Sequence, residues 1–309
     1  MMNFLITLSA VAMMLGYASI GFLMMKGKLI KEDAISAFAK LLLYVSSPCL
    51  TIYSISRVEC TKQTLFDALI CLIFAFVVQG GLQILFRYVY KKHIDDVNYR
   101  VHNVATAMGN TGFMAVPLLE AIMPDYPEAV FLSTVYCIAM NLVGWTMTIY
   151  IISNDKKYMR VKNAFLNPGT LALIVAIPIY LTGFKLPSEL DTMITLLGKM
   201  SAPLCMIVMG SRLGTMKFKS LFIDKHVYLT IGIKQILMPT LSFFVLMALP
   251  MSFEFKEAIF ILTAAPVASM VLNYAELIGQ GQKKAANLVL LGTLLSIVTM
   301  PVMMLIFYR

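Results

Sequence analysis

Charge is what this sequence has least of. Asp, Glu, Lys and Arg make up 13% of the residues, about half the share found in an ordinary soluble domain. A chain so poor in charge cannot cover itself with a polar surface. With a hydrophobic fraction of 60%, most of its solvent is expected to be lipid. Cysteine is sparse and scattered. Cys49, Cys60, Cys71, Cys137 and Cys205 contain no C-x-x-C pair, which argues against a disulfide framework or a zinc site. His93, His102 and His226 lie near loops and are expected to form no cluster. No Walker motif, H-E-x-x-H or Asp pair within an apolar stretch is present, so neither ATP hydrolysis nor intramembrane catalysis is expected, and no cofactor or metal. Long polar tracts are missing as well; no loop exceeds about 15 residues, which leaves no room for a soluble catalytic domain.

What the sequence does have is long apolar runs. A membrane-crossing helix needs about 20 mainly apolar residues. Ten stretches qualify, at roughly 3–25, 33–55, 64–88, 100–123, 128–152, 168–184, 188–211, 227–249, 255–278 and 286–308. We call them spans 1 to 10. Span 1 has no basic residue before Lys26 and is too long for a signal-peptide core, so it is expected to be retained.

Lys and Arg concentrate in cytoplasmic loops. Alternate loops differ sharply here. One set carries Lys26, Lys28 and Lys31, then Arg87 to Arg100, Lys156 to Lys162, Arg212 to Lys225, and Lys283 with Lys284. The other set carries few basic residues, among them Arg57, Lys62, Lys185 and Lys256. This predicts a multi-pass protein of the plasma (inner) membrane with both termini extracytoplasmic. The net charge of +9 is then mainly a topology signal, and nucleic-acid binding is not expected.

Two landmarks repeat. Ser-x-Pro in span 2 (Ser46-Ser47-Pro48) returns in span 7 (Ser201-Ala202-Pro203), 155 residues on, and Pro117 of span 4 returns as Pro266 of span 9, 149 residues on. Both spacings equal five spans. Five is odd, so the second copy is inverted. The predicted fold is an all-α membrane protein of two inverted five-helix repeats, 1–152 and 168–309, joined by a cytoplasmic linker at 153–167.

Spans 4 and 9 are predicted to be broken. Span 4 holds Gly109-Asn110-Thr111-Gly112 and then Pro117; span 9 holds Ala264-Ala265-Pro266 followed by Ser269 and Asn273. Each Gly costs a helix about 1 kcal/mol and each Pro about 3. Freed backbone groups are tolerated in a membrane only inside protein or beside water. Pro117 suits the first turn of a new half-helix. Two half-helices starting at mid-membrane from opposite sides would each present free N–H groups and about half a positive charge. With the Asn110 amide, they would suit a carboxylate. A proline alone is often no more than a kink; the G-N-T-G-x-x-x-x-P run is less ordinary.

At these residues the chain resembles the auxin efflux carrier family, which includes plant PIN proteins and bacterial organic-acid permeases. The similar stretches are G-N-T-G-F-M-A-V-P-L-L at 109–119, S-S-P-C-L at 46–50, N-P-G-T-L-A-L-I at 167–174, S-A-P-L-C-M-I-V-M-G-S-R-L at 201–213 and A-A-P-V-A-S at 264–269. The resemblance implies scaffold helices 1, 2, 6 and 7 and transport helices 3–5 and 8–10. It also implies elevator-type movement and a homodimer through the scaffold. Broken spans 4 and 9 should cross at Pro117 and Pro266, with substrate beside Asn110. Candidate substrate-binding residues are therefore Asn110, Thr111, Gly112, Pro117, Ala265, Pro266, Ser269 and Asn273, with Ser47, Pro48, Ser201 and Pro203 from spans 2 and 7. The chain departs from the family in its short central loop and in Lys199, which stands where a small or apolar residue is expected.

Ionisable and amide side chains inside spans mark a second set. A lysine at mid-membrane costs about 2.5–3.5 kcal/mol and should face protein or water. Lys234 and Gln235 lie near the middle of span 8, and Lys234 is expected to pair with Glu276 or with a substrate anion. Gln79 and Gln83 share one face of span 3, where they would coordinate a coupling ion or hold a neighbouring helix. Asp67 and Glu120, near span ends, are expected to be wet. The function expected is secondary transport of a small organic anion, a dicarboxylate or auxin-like carboxylate, coupled to H⁺ or Na⁺. An anion channel or membrane receptor on the same helices is the alternative.

Overall fold

With lipid as solvent, apolar side chains can face outward as well as fill the interior, while polar ones within the spans turn inward. The computed structural model describes residues 2–159, 161–216, 222 and 224–308, and it follows this rule. Its regular elements are helices: α1 (Met2–Lys26), α2 (Glu32–Ser56), α3 (Lys62–Val89), α4 (Val97–Ala107), α5 (Ala115–Ile122), α6 (Glu128–Ser153), α7 (Val161–Leu166), α8 (Pro168–Leu171), α9 (Leu173–Thr182), α10 (Ser188–Thr215), α11 (Lys225–Ala248), α12 (Phe253–Ala264), α13 (Ser269–Ile278) and α14 (Gln282–Phe307). On α3 the amides of Gln79 and Gln83 are 0% exposed, while Val77 and Ile84 on the outer face are 65% and 63% exposed. In water that distribution would be unstable; in hydrocarbon it is the expected one.

Among the described residues, seven helices are long and apolar enough to cross a membrane: α1, α2, α3, α6, α10, α11 and α14. An eighth crossing results if the pair Lys156–Leu171 and Leu173–Thr182, bent by 58°, counts as one. The ten expected spans are therefore not ten continuous rods. Spans 4 and 9 are cut into α4 with α5 and α12 with α13, of 11, 8, 12 and 10 residues. At about 1.5 Å per residue, none reaches across a hydrocarbon layer of about 30 Å.

Three long helices carry a π turn, at Leu42–Ser46, Gly144–Thr148 and Ile233–Leu237. Two of them end two residues before a proline, Pro48 and Pro239. A proline gives no N–H to the carbonyl four residues back and its ring crowds that group; widening the preceding turn relieves both.

Glycine sets the closest helix contact. A Cβ on Gly210 of α10 would lie 1.7 Å from the Ala18 carbonyl oxygen of α1, and one on Gly21 2.0 Å from that of Ile207. Without a hydrophobic force between helices in lipid, such backbone approach supplies the packing energy. The half-helices α4 and α12 sit deepest. Every residue from Val101 to Ala107 is buried, as is every residue from Glu257 to Ala264. The broken segments are thus enclosed by protein, the condition under which a membrane tolerates them.

Candidate functional site: a crossing of two broken helices

The two breaks meet. Gly109 and Val267 pair in antiparallel fashion. The Asn110 N–H donates to the Pro266 carbonyl at 2.7 Å, and the Ala268 N–H donates to the Met108 carbonyl at 3.0 Å. Four residues of β-like pairing thus satisfy backbone groups that neither helix can satisfy alone. The local sequence explains the geometry. The residue before a proline is pushed out of the helical region, and Ala265 stands at φ −56°, ψ 141°. Gly109 has no φ that demands glycine; it is needed for close approach. A Cβ there would lie 3.1 Å from Lys234 Nζ and 3.4 Å from the Ala265 carbonyl oxygen.

The expectation that both helices cross at their prolines holds for Pro266 only. Span 4 crosses at Met108–Asn110, and Pro117 lies further on, in the first turn of α5. The cause is steric: the glycine permits the close approach, whereas a proline ring cannot donate the N–H that the pairing uses.

Beyond the crossing, α5 and α13 start with no side-chain cap at Met114 or Ala268. The N–H groups of Met114 and Ala115 share the Asn110 carbonyl at 3.3 Å. The Val271 N–H donates to the Ala268 carbonyl at 3.1 Å, and each start carries the positive end of a helix dipole. Asn110 is 4% exposed, and its side-chain amide makes no hydrogen bond to other described residues. Its amide donors and carbonyl oxygen are thus not spent on these residues.

The other candidate residues divide. Thr111 is engaged: its hydroxyl lies 3.2 Å from Cys137 Sγ, and its carbonyl accepts from Ser133 Oγ at 2.8 Å. A Cβ on Gly112 would touch the same thiol, at 3.3 Å. Ser269 begins α13 beside Cys205, and Asn273 is exposed one turn further. Ser201 is buried with its hydroxyl unpartnered, whereas Ser47 faces the backbone at Gly169. Pro48 and Pro203 are half-buried in α2 and α10.

Lys234 does not pair with Glu276. Its ammonium, 3% exposed, donates to the carbonyls of Thr263 at 2.7 Å and Ala265 at 2.8 Å, the C-terminal end of α12. Glu276 lies seven residues into α13, about 10 Å beyond the break by helix rise, and pairs with Arg212 of α10. Gln235 is fully committed between helices, donating to the Gly292 carbonyl at 2.8 Å and accepting from Thr299 at 2.6 Å. Gln83 exchanges hydrogen bonds with Thr148 of α6, at 2.8 and 3.1 Å. Gln79 is buried beside the Tyr136 hydroxyl, with its amide otherwise without partners. Asp67 is not wet but buried, accepting from Gln63 Nε2 at 2.7 Å. Glu120 accepts from the Tyr53 hydroxyl at 2.8 Å and lies 3.7 Å from Lys199 Nζ, which gives that unexpected lysine its counter-charge.

Two features were invisible to pattern reading. The three histidines do cluster. His93 stacks on Tyr99 with centroids 4.4 Å apart, Tyr99 meets His226 at 5.8 Å, and His226 meets His102 at 6.2 Å. His102 Nδ1 lies 2.7 Å from Thr230 Oγ1. The fold joins α4 to α11 there, across more than a hundred residues of sequence. Glu257 in α12 is 6% exposed with one carboxyl oxygen unpartnered; an acidic residue inside span 9 was the available signal. A cavity of about 430 Å³ between α6 and α9 has Thr170 as the sole polar side chain in its lining, which suits a hydrocarbon chain rather than an anion.

Long lipid-facing helices around buried half-helices that meet at unspent polar groups define a multi-pass membrane transport protein. The match with known families agrees: residues 6–304 fit the family model described as Membrane transport protein. The chain belongs to this family, the auxin efflux carrier family. A search among curated proteins finds no match.

Proposed function

We propose that this membrane transporter is a secondary carrier that moves a small organic anion, a dicarboxylate or auxin-like carboxylate, by alternating access of the elevator type. One observation carries the reading: at the crossing, the unspent Asn110 amide lies among the uncapped N-termini of α5 and α13. Converging N–H donors and positive dipole ends favour a carboxylate. Asn110, Pro266 and Ser269 line the site in this reading, with Gly112 and Asn273 at its margins. The expected chain path supports ten crossings in two inverted repeats, 1–152 and 168–309, the half-helices counting as one crossing per pair. In this reading α1, α2, α9 and α10 form the scaffold through which two copies would dimerise, and α3 to α6 with α11 to α14, the broken half-helices among them, carry the site. The bias of Lys and Arg toward alternate loops supports a plasma-membrane protein with both termini outside the cytoplasm.

The test is counterflow in proteoliposomes with labelled malate and indole-3-acetate as probes. A carrier exchanges label faster when unlabelled acid waits on the other side. Rapid downhill flux without acceleration would identify a channel and refute the carrier reading. Asn110→Ala should abolish exchange at unchanged expression; undiminished exchange removes Asn110 from the site.

A further inference from the structure

The carrier reading leaves one charge unexplained, and it is the best-held charge in the bundle. Lys234 Nζ sits on the two carbonyls that end α12, at 2.7 and 2.8 Å. No carboxylate pairs with it among the described residues; the ion pairs there involve Arg57, Lys157, Lys199, Arg212 and Lys284. Its position follows from local structure. Lys234 lies in the π turn Ile233–Leu237, which offsets it from the regular helical face. Gly109 leaves the room that the ammonium fills.

A half-helix that ends inside a membrane protein leaves carbonyls unpaired and about half a negative charge. Two neighbouring carbonyl oxygens at such an end are hard ligands of the kind that hold a small cation. One repeat spacing of 155 residues before Lys234 stands Gln79 in α3, a neutral amide. A side-chain amine thus stands at one of these two positions and an amide at the other.

We infer that Lys234 is a positioning residue that acts as a tethered cation. It occupies the place at the α12 terminus that a free monovalent cation would otherwise have to fill, so the crossing assembles without Na⁺. This rests on the carrier reading only for its consequence, which is that exchange needs no Na⁺. The placement itself is tested without transport. The purified chain is unfolded by heat at constant ionic strength, with choline chloride replaced stepwise by NaCl, KCl or methylammonium chloride, and followed by the fluorescence of Trp145, the single tryptophan.

The wild type should show no cation-specific shift. Lys234→Ala should unfold at lower temperature and recover a saturable rise of about 2–4 °C with Na⁺ or methylammonium. Lys234→Arg, which keeps the charge, should remain insensitive. A saturable Na⁺ stabilisation of the wild type overturns the inference, and this arm needs no variant to fold. Absence of any cation-specific response in folded Lys234→Ala overturns it equally. Malate exchange by the wild type should be as fast in choline as in Na⁺, and Na⁺-dependent exchange overturns the consequence drawn here. Absence of exchange in every buffer would instead count against the carrier proposal, leaving the unfolding result intact.

Discussion

Adding one methyl group at Gly109 tests the crossing directly. The backbone of this residue lies in a region open to any amino acid, so Gly109→Ala carries no conformational penalty and would gain about 0.4–1 kcal/mol if it had space. It has little: the new Cβ would stand 3.1 Å from Lys234 Nζ, 3.3 Å from its Cε and 3.4 Å from the Ala265 carbonyl oxygen. The lysine must give by a few tenths of an ångström, yet its ammonium is pinned by carbonyls at 2.7 and 2.8 Å. Hydrogen bonds to a charged group contribute about 1.5–3 kcal/mol each, and weakening both in part should cost about 1–3 kcal/mol. The assay is reversible unfolding of the detergent-purified chain, with Gly80→Ala as control because nothing lies within 4 Å of its added Cβ. In a Lys234→Ala background the clash disappears, and the same change should cost under about 0.5 kcal/mol, a coupling that a double-mutant cycle reads out. If Gly109→Ala matches Gly80→Ala in the wild-type background, or costs as much without the lysine as with it, the packing argument is refuted.

Other substitutions probe the frame around the site. Gly210→Ala should be worse than Gly109→Ala, at about 3 kcal/mol or more, because its Cβ meets the Ala18 backbone at 1.7 Å and backbone cannot rotate away; yield and unfolding temperature report it. Gln83→Leu should cost about 1–3 kcal/mol by leaving the buried Thr148 hydroxyl only its weak bond to Met108 Sδ at 3.4 Å, and adding Thr148→Val should recover part of the loss in the same unfolding assay. Arg212→Glu should change stability by no more than about 1 kcal/mol, since the Glu276 carboxylate is partly exposed, and pairing it with Glu276→Arg should restore the wild-type value.

Much of this architecture was legible in the order of residues. The apolar runs marked the helices, and the cluster of Gly109, Gly112 and Pro117 marked a break where α4 gives way to α5. Pro117 in the first turn of α5 follows from its own missing N–H. The repeat spacing suggested that the two breaks correspond. Partners were less legible. Lys234 was expected to meet Glu276 or a substrate anion, because opposite charges are the obvious match, but α13 carries Glu276 away from the break and toward Arg212. The histidines looked dispersed because their separation along the chain hides their meeting around Tyr99.

Composition and spacing by themselves determined that this is a lipid-embedded helical chain with two interrupted crossings, because hydrocarbon admits only backbone that is internally bonded, proline lacks the N–H for such a bond and glycine holds a helix weakly. Only the tertiary structure decided which interrupted segment completes which: the Asn110 amide proton on the Pro266 carbonyl, and the Lys234 ammonium on the end of α12. Those contacts join groups far apart in sequence. Many donors are chemically able to satisfy a bare carbonyl, and packing alone selects the one that arrives.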